Sequence, residues 1–157
     1  MENNLSIDTN LVQEILVGFI RSEITRSGFS RAVINLSGGL DSSVSCVLAA
    51  RALGPENVLA LCLPYKTSAG DSLDHAQLLI TQLGVVSRTI PITEMVDPLI
   101  SLDPGMSPVR QGNIMARARM IVAYDQSEVF KGLVVGTGNK TEILLGYTTL
   151  FGDSASA

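Results

Sequence analysis

The chain has 157 residues, 46% hydrophobic and 17% charged, a balance that excludes a disordered polypeptide and suits one domain with a sizeable core. A net charge of −4 argues against a nucleic-acid partner, and no apolar run is long enough to span a bilayer. No basic segment leads into an apolar core at the N-terminus, and the two cysteines form neither a disulfide framework nor a zinc site, so the expectation is a cytoplasmic protein with Cys46 and Cys62 as small buried hydrophobes.

In chain order, apolar residues at helical spacing (Leu11, Ile15, Leu16, Phe19, Ile20) predict a helix over 10–27, ended by Gly28. A strand at 31–36 follows, then a helix at 42–53 and, after Gly54-Pro55, a strand at 57–63. The segment 71–83 reads as a helix stopped by Gly84, 85–90 as a short strand and 92–100 as a short helix. After a Pro/Gly-bearing loop over 103–108, a long helix is expected at 109–130 and a last strand at 133–136. Alternating strands and helices imply a doubly wound parallel sheet with helices on both faces, a Rossmann-like α/β fold. Ligands of such sheets bind at the carboxyl ends of the strands, so the turns at 37–43 and 137–140 should share one crevice.

The first of these turns is chemically loaded. Ser37-Gly38-Gly39-Leu40-Asp41-Ser42-Ser43 joins a strand to a helix N-terminus, where unpaired N–H groups and the helix dipole favour an anion. Gly38 and Gly39 allow close approach to the backbone and tolerate positive φ, while Ser37, Ser42 and Ser43 add hydroxyls. The loop lacks the Gly-x-x-x-x-Gly-Lys of P-loops and the Gly-x-Gly-x-x-Gly of dinucleotide folds. Asp41 would repel a bound phosphate unless a cation lay between them, which points to Mg²⁺. A Ser/Gly turn with an N-capping Asp or Ser also occurs in α/β proteins without nucleotide.

Ser-Gly-Gly-x-Asp-Ser resembles the pyrophosphate-binding loop of the N-type ATP pyrophosphatases, the adenine nucleotide alpha hydrolase-like group. Three further stretches make the likeness more specific: Leu63-Pro64-Tyr65-Lys66-Thr67-Ser68, Gly112-Asn113-Ile114-Met115-Ala116-Arg117-Ala118-Arg119-Met120, and Gly136-Thr137-Gly138-Asn139-Lys140-Thr141-Glu142 running on to Gly152-Asp153. With all four in order, the chain resembles the NAD⁺ synthetases, from its first helix to its last residue.

That resemblance implies a single ATP-pyrophosphatase/NAD synthetase domain over 1–157, working as a homodimer. The implied reaction amidates deamido-NAD⁺: its carboxylate attacks the α-phosphate of ATP, pyrophosphate leaves, and ammonia displaces AMP. Ser37, Gly38, Gly39, Ser42 and Ser43 would hold the ATP phosphates with Thr137, and Asp41 and Glu142 would bind Mg²⁺. Arg117 would bind the dinucleotide, on a helical stripe of Asn113, Arg117, Met120 and Tyr124 at i, i+4, i+7 and i+11. No nucleophilic or acid–base side chain is required, because a carboxylate is already a nucleophile and the protein supplies position and charge. Lys66 is a weaker candidate for ATP contact; Arg119 reads equally as a solvated helix residue, and His75 as a surface residue.

The likeness has departures. Family members continue beyond Gly152-Asp153, so a missing C-terminal part and weak or absent turnover are expected of this chain. Leu150, Ser154 and Ala157 stand where relatives carry a lysine, a glycine and a carboxylate. Two alternatives stay open: another adenylating enzyme of the group, GMP-synthetase-like or tRNA-thiolating, and a non-catalytic nucleotide-binding module.

Overall fold

The computed structural model describes residues 6–68 and 70–156. Its elements are α1 (Thr9–Arg26), β1 (Ala32–Asn35), α2 (Leu40–Leu53), β2 (Val58–Cys62), α3 (Gly70–Leu83), β3 (Val86–Thr89), α4 (Thr93–Ser101), α5 (Pro108–Phe130), β4 (Leu133–Val134) and α6 (Lys140–Leu145), with one 3₁₀ turn at Pro55–Asn57. Each strand is shorter at one or both ends than its apolar run suggests, because pairing stops where the chain turns away. The run at 85–90, for example, pairs only over Val86–Thr89. The six-residue α6 has too short a pattern to be read by periodicity, and only its cap betrays it.

All four strands are parallel, in the order β3-β2-β1-β4. Strand alternation divides the core into two layers. Val33, Leu59 and Leu61 pack with Ile92 just before α4, Val96 of α4, and Ala118, Val122 and Ala123 of α5. Ile34, Val58, Ala60 and Cys62 pack on the other face with Cys46, Ala49 and Ala50 of α2 and Ala76 and Ile80 of α3. Burying apolar surface on both faces is what makes β1 and β2 uninterrupted hydrophobic runs. Both cysteines are free and buried as expected, and burial pushes the Cys46 thiol up to about 11. Among the described residues no helix is long and apolar enough to cross a membrane.

The strand order positions the site. The chain winds outward from β1 through β2 to β3, then crosses back by α5 to place β4 on the other side of β1. The winding therefore reverses between β1 and β4. The turns leaving those two strands border one crevice at their carboxyl ends, the general ligand position of open α/β sheets.

Candidate functional site

Two clefts lie along the carboxyl ends of the strands, and Ser37 borders both. One, of about 330 Å³, is lined by Gly39, Asp41 and Ser42 from the first turn and Thr137, Gly138 and Glu142 from the second, with Asp153 on its rim. The other, of about 340 Å³, runs over the ends of β1 and β2, between Asn35, Leu61, Leu63, Ser72 and Arg119. The two turns foreseen to meet do meet.

The first turn is more constrained than its sequence suggests. Gly38 has φ of +82°, and a Cβ there would lie 2.0 Å from the Ser72 carbonyl oxygen, so only glycine fits. Gly39, expected to share that freedom, has φ of −78° and is the N-cap of α2. Ser42 is only 5% exposed. Its Oγ accepts from the Ser37 N–H at 3.2 Å, lies 3.0 Å from the Ser37 Oγ and donates to the Gly39 carbonyl at 3.1 Å. The Ser42 hydroxyl therefore knits the loop. The Ser37 Oγ also accepts from the Gly39 N–H at 3.3 Å, and the Ser43 N–H enters the α2 ladder by bonding the Gly39 carbonyl at 3.1 Å. α2 begins at Leu40, two residues earlier than its apolar pattern, which places Asp41 in the first helical turn at an exposed position.

The second turn carries a residue whose role the sequence reading overlooked. Asn139 caps α6: its Oδ1 accepts from the Glu142 N–H at 2.9 Å, and its own N–H donates to the Glu142 Oε2 at 3.0 Å. The remaining amide group of Asn139 donates to the Asp41 Oδ2 at 3.3 Å. Asp41 and Glu142 are thus held in one cleft through a shared asparagine. The Asn-x-x-Glu spacing was a visible sign of the capping box, whereas the bridge to Asp41 depends on the fold. Among the described residues no cluster of three or more His, Cys, Asp or Glu is placed to hold a metal by itself. Two carboxylates lining one cleft are nevertheless a fitting donor set for Mg²⁺, which takes one or two protein carboxylates and completes its shell with other oxygens and water.

The α5 stripe stands apart from both clefts. The Asn113 Oδ1 accepts from the Thr149 hydroxyl at 2.7 Å, and the Arg117 Nε donates to the Leu150 carbonyl at 3.2 Å. The stripe read as a bed for a dinucleotide is therefore partly occupied by the chain's own C-terminal turn, with Tyr124 exposed beyond it. Arg119, left open by the sequence, is half-buried, donates from Nε to the Leu63 carbonyl at 3.1 Å and lines the second cleft, where desolvation lowers its pKa. Lys66 sits away from both clefts, paired with Asp97 at 2.7 Å, and His75 is exposed on α3. The substitution noted at Ala157 lies outside the described residues.

Fold and crevice together define the class: a doubly wound α/β protein whose ligand site is built by two turns at the switch point. The family model "NAD synthase" matches residues 12–157. An NH₃-dependent NAD⁺ synthetase of Chlorobaculum tepidum is 55% identical over 98% of this chain and 56% of its own length. The NH₃-dependent NAD synthetase of Campylobacter jejuni, solved with a nitrate ion, superposes with a TM-score of 0.91 at 38% identity, covering 97% of this chain and 66% of its own. A glutamine-dependent NAD⁺ synthetase of Acinetobacter baumannii, solved with ADP, gives a TM-score of 0.90 at 32% identity, covering 99% of this chain and 31% of its own. The chain belongs to the NAD synthase family. It spans about half the length of the curated relatives it matches.

Proposed function

We propose that this chain is a single ATP-pyrophosphatase domain, 1–157, of an ammonia-dependent NAD⁺ synthetase that acts in the cytoplasm and adenylates deamido-NAD⁺. The observation that carries this reading is the bridge from Asn139 to Asp41, which sets two carboxylates and a Ser/Gly turn around one cleft. In this reading ATP lies across Ser37, with its phosphates in the first cleft and its nucleoside in the second, whose walls include Leu36, Leu61, Leu63 and Leu73.

Ser37, the exposed loop backbone and Thr137 bind the phosphates, while Gly38, Ser42 and Ser43 hold the loop in shape. Asp41 and Glu142 hold Mg²⁺, which when bound neutralises charge on the departing pyrophosphate. Arg117, Asn113 and Tyr124 receive the dinucleotide along α5 once Thr149 and Leu150 give up their bonds to Asn113 and Arg117. No side chain removes a proton from the nucleophile, since a carboxylate is already ionised at neutral pH. A second copy of the chain packs on the exposed α5 residues Ile121, Tyr124 and Val129, giving a homodimer.

The test is pyrophosphate release from Mg-ATP at protein concentrations above that of the nucleotide, with and without deamido-NAD⁺. Release that requires the dinucleotide, and that falls at least about 100-fold in Asp41→Ala, is expected. Release indifferent to the dinucleotide would rule out the synthetase reading in favour of a nucleotide-binding module.

A further inference from the structure

The two clefts at the carboxyl ends of the strands have opposite electrostatic characters. The first is bordered by three carboxylates, Asp41, Glu142 and Asp153, and among the described residues by neither lysine nor arginine. A single divalent cation there matches two of those charges, so the negative charge of a polyphosphate stays largely unbalanced. The second cleft is lined by no carboxylate, and its one charged residue is Arg119.

Arg119 is held in that wall without a counter-charge. Its Nε donates to the Leu63 carbonyl at 3.1 Å, and it takes part in none of the ion pairs among the described residues. The bond to Leu63 uses one guanidinium N–H and leaves both terminal nitrogens to a ligand. A half-buried cation is costly until an anion meets it, and desolvation accordingly lowers the Arg119 pKa. A neutral nucleoside does not answer that need. Arg117 does not share it: two residues earlier, and so about 200° round the helix, it bonds the C-terminal turn instead.

A nucleotide lying across Ser37 brings one anion within reach of the second cleft. Only the α-phosphate is bonded to the nucleoside, so it lies at the seam that Ser37 borders, while the outer phosphates extend into the first cleft. The guanidinium fork matches two oxygens of one phosphate. We propose that Arg119 is the α-phosphate-binding residue of the nucleotide site, its terminal N–H groups donating to that phosphate from the nucleoside side. This rests on the reading of the first cleft as a Mg-ATP site, and the experiment separates the two. The phosphate held by Arg119 stays with the adenylyl group, so the contact outlasts the departure of pyrophosphate and is made by AMP as well. Binding of Mg-ATP, AMP, adenosine and Mg-pyrophosphate is measured by calorimetry on the full chain and on Arg119→Gln and Arg119→Lys.

The parent chain is expected to bind AMP at least about tenfold more tightly than adenosine, the scale of a hydrogen bond to a charged group. Arg119→Gln should weaken Mg-ATP and AMP about tenfold or more and change adenosine and Mg-pyrophosphate by less than about twofold. Arg119→Lys keeps the charge without the fork and should lose less; it carries the same comparison if the glutamine variant does not fold. Equal affinity of the parent chain for AMP and adenosine overturns the assignment. So does a loss for adenosine as large as that for AMP, which would place the guanidinium on the base or make it a prop of the wall. A loss for Mg-pyrophosphate as large as that for AMP would place it on the outer phosphates, and unchanged binding of all four ligands would leave it only the Leu63 carbonyl. Failure of the parent chain to bind Mg-ATP overturns the reading of the first cleft as well.

Discussion

Tyr65, Lys66 and Asp97 show how little of a side chain's role can be read from its type. A lysine in a motif beside a candidate nucleotide cleft invites a phosphate contact, yet the Lys66 Nζ is 2.7 Å from the Asp97 Oδ2. The Tyr65 hydroxyl donates to the other oxygen of the same carboxylate at 2.7 Å. Lys66 and then Tyr65 hold the Asp97 carboxyl below its ordinary range, while the hydrogen bond to Asp97 pushes the Tyr65 phenol up. A phenol raised on folding contributes stability that is present below its unfolded value and is lost as pH rises through the folded one. In an alkaline absorbance titration, one phenol of the three should therefore ionise above the ordinary range of about 10. Asp97→Asn should move that late step down. An unchanged curve would show that the Asp97 carboxylate does not set it.

At the scale of elements, the shortest α-helix supplies one wall of the candidate site. A helix of six residues has little stability of its own, so α6 depends on its cap and on what the cap touches. Asn139→Ala removes the capping box and the bridge to Asp41 together. It should cost about 1 kcal/mol, and amide exchange should quicken over 140–145 while β1 and β2 keep their protection. Loss of protection in β1 would instead mean that the residue supports the whole sheet. The longer elements were legible because both of their periodicities survive in the sequence: continuous apolar runs for buried parallel strands, and 3.6-residue spacing for α1 and α5. The meeting of the two turns was also legible, since it follows from parallel topology. The inward turn of the Ser42 hydroxyl and the negative φ of Gly39 were not. The partners of Ser42 are local, but the way its hydroxyl turns follows from the loop's conformation, and that conformation is fixed by the close approach of Ser72 to Gly38. The covering of Asn113 and Arg117 by Thr149 and Leu150 belongs with them, because nothing local in either segment marks the pairing.

For the whole molecule, the distribution of apolar surface is uneven. The faces of β1 and β2 are sealed, but Ile121 and Val129 on α5 remain more than half exposed. A second copy covering this stripe would remove that surface from water. Sedimentation at tens of micromolar should therefore show a dimer, and Ile121→Arg with Val129→Arg should give a monomer that still binds Mg-ATP. A parent chain that remains monomeric at that concentration would exclude this surface as the interface.

The hydrogen bond between Asp41 and Asn139 joins residues 98 positions apart in the chain. One half of the cleft is in place once β1 and α2 have formed; the other arrives only after α5 has crossed the sheet and β4 has docked. A ligand gripped by both turns would therefore act as a removable cross-link closing a long loop of the chain. Its presence would be felt as resistance to unfolding throughout the sheet, and its loss would first loosen the end of the chain that folds last.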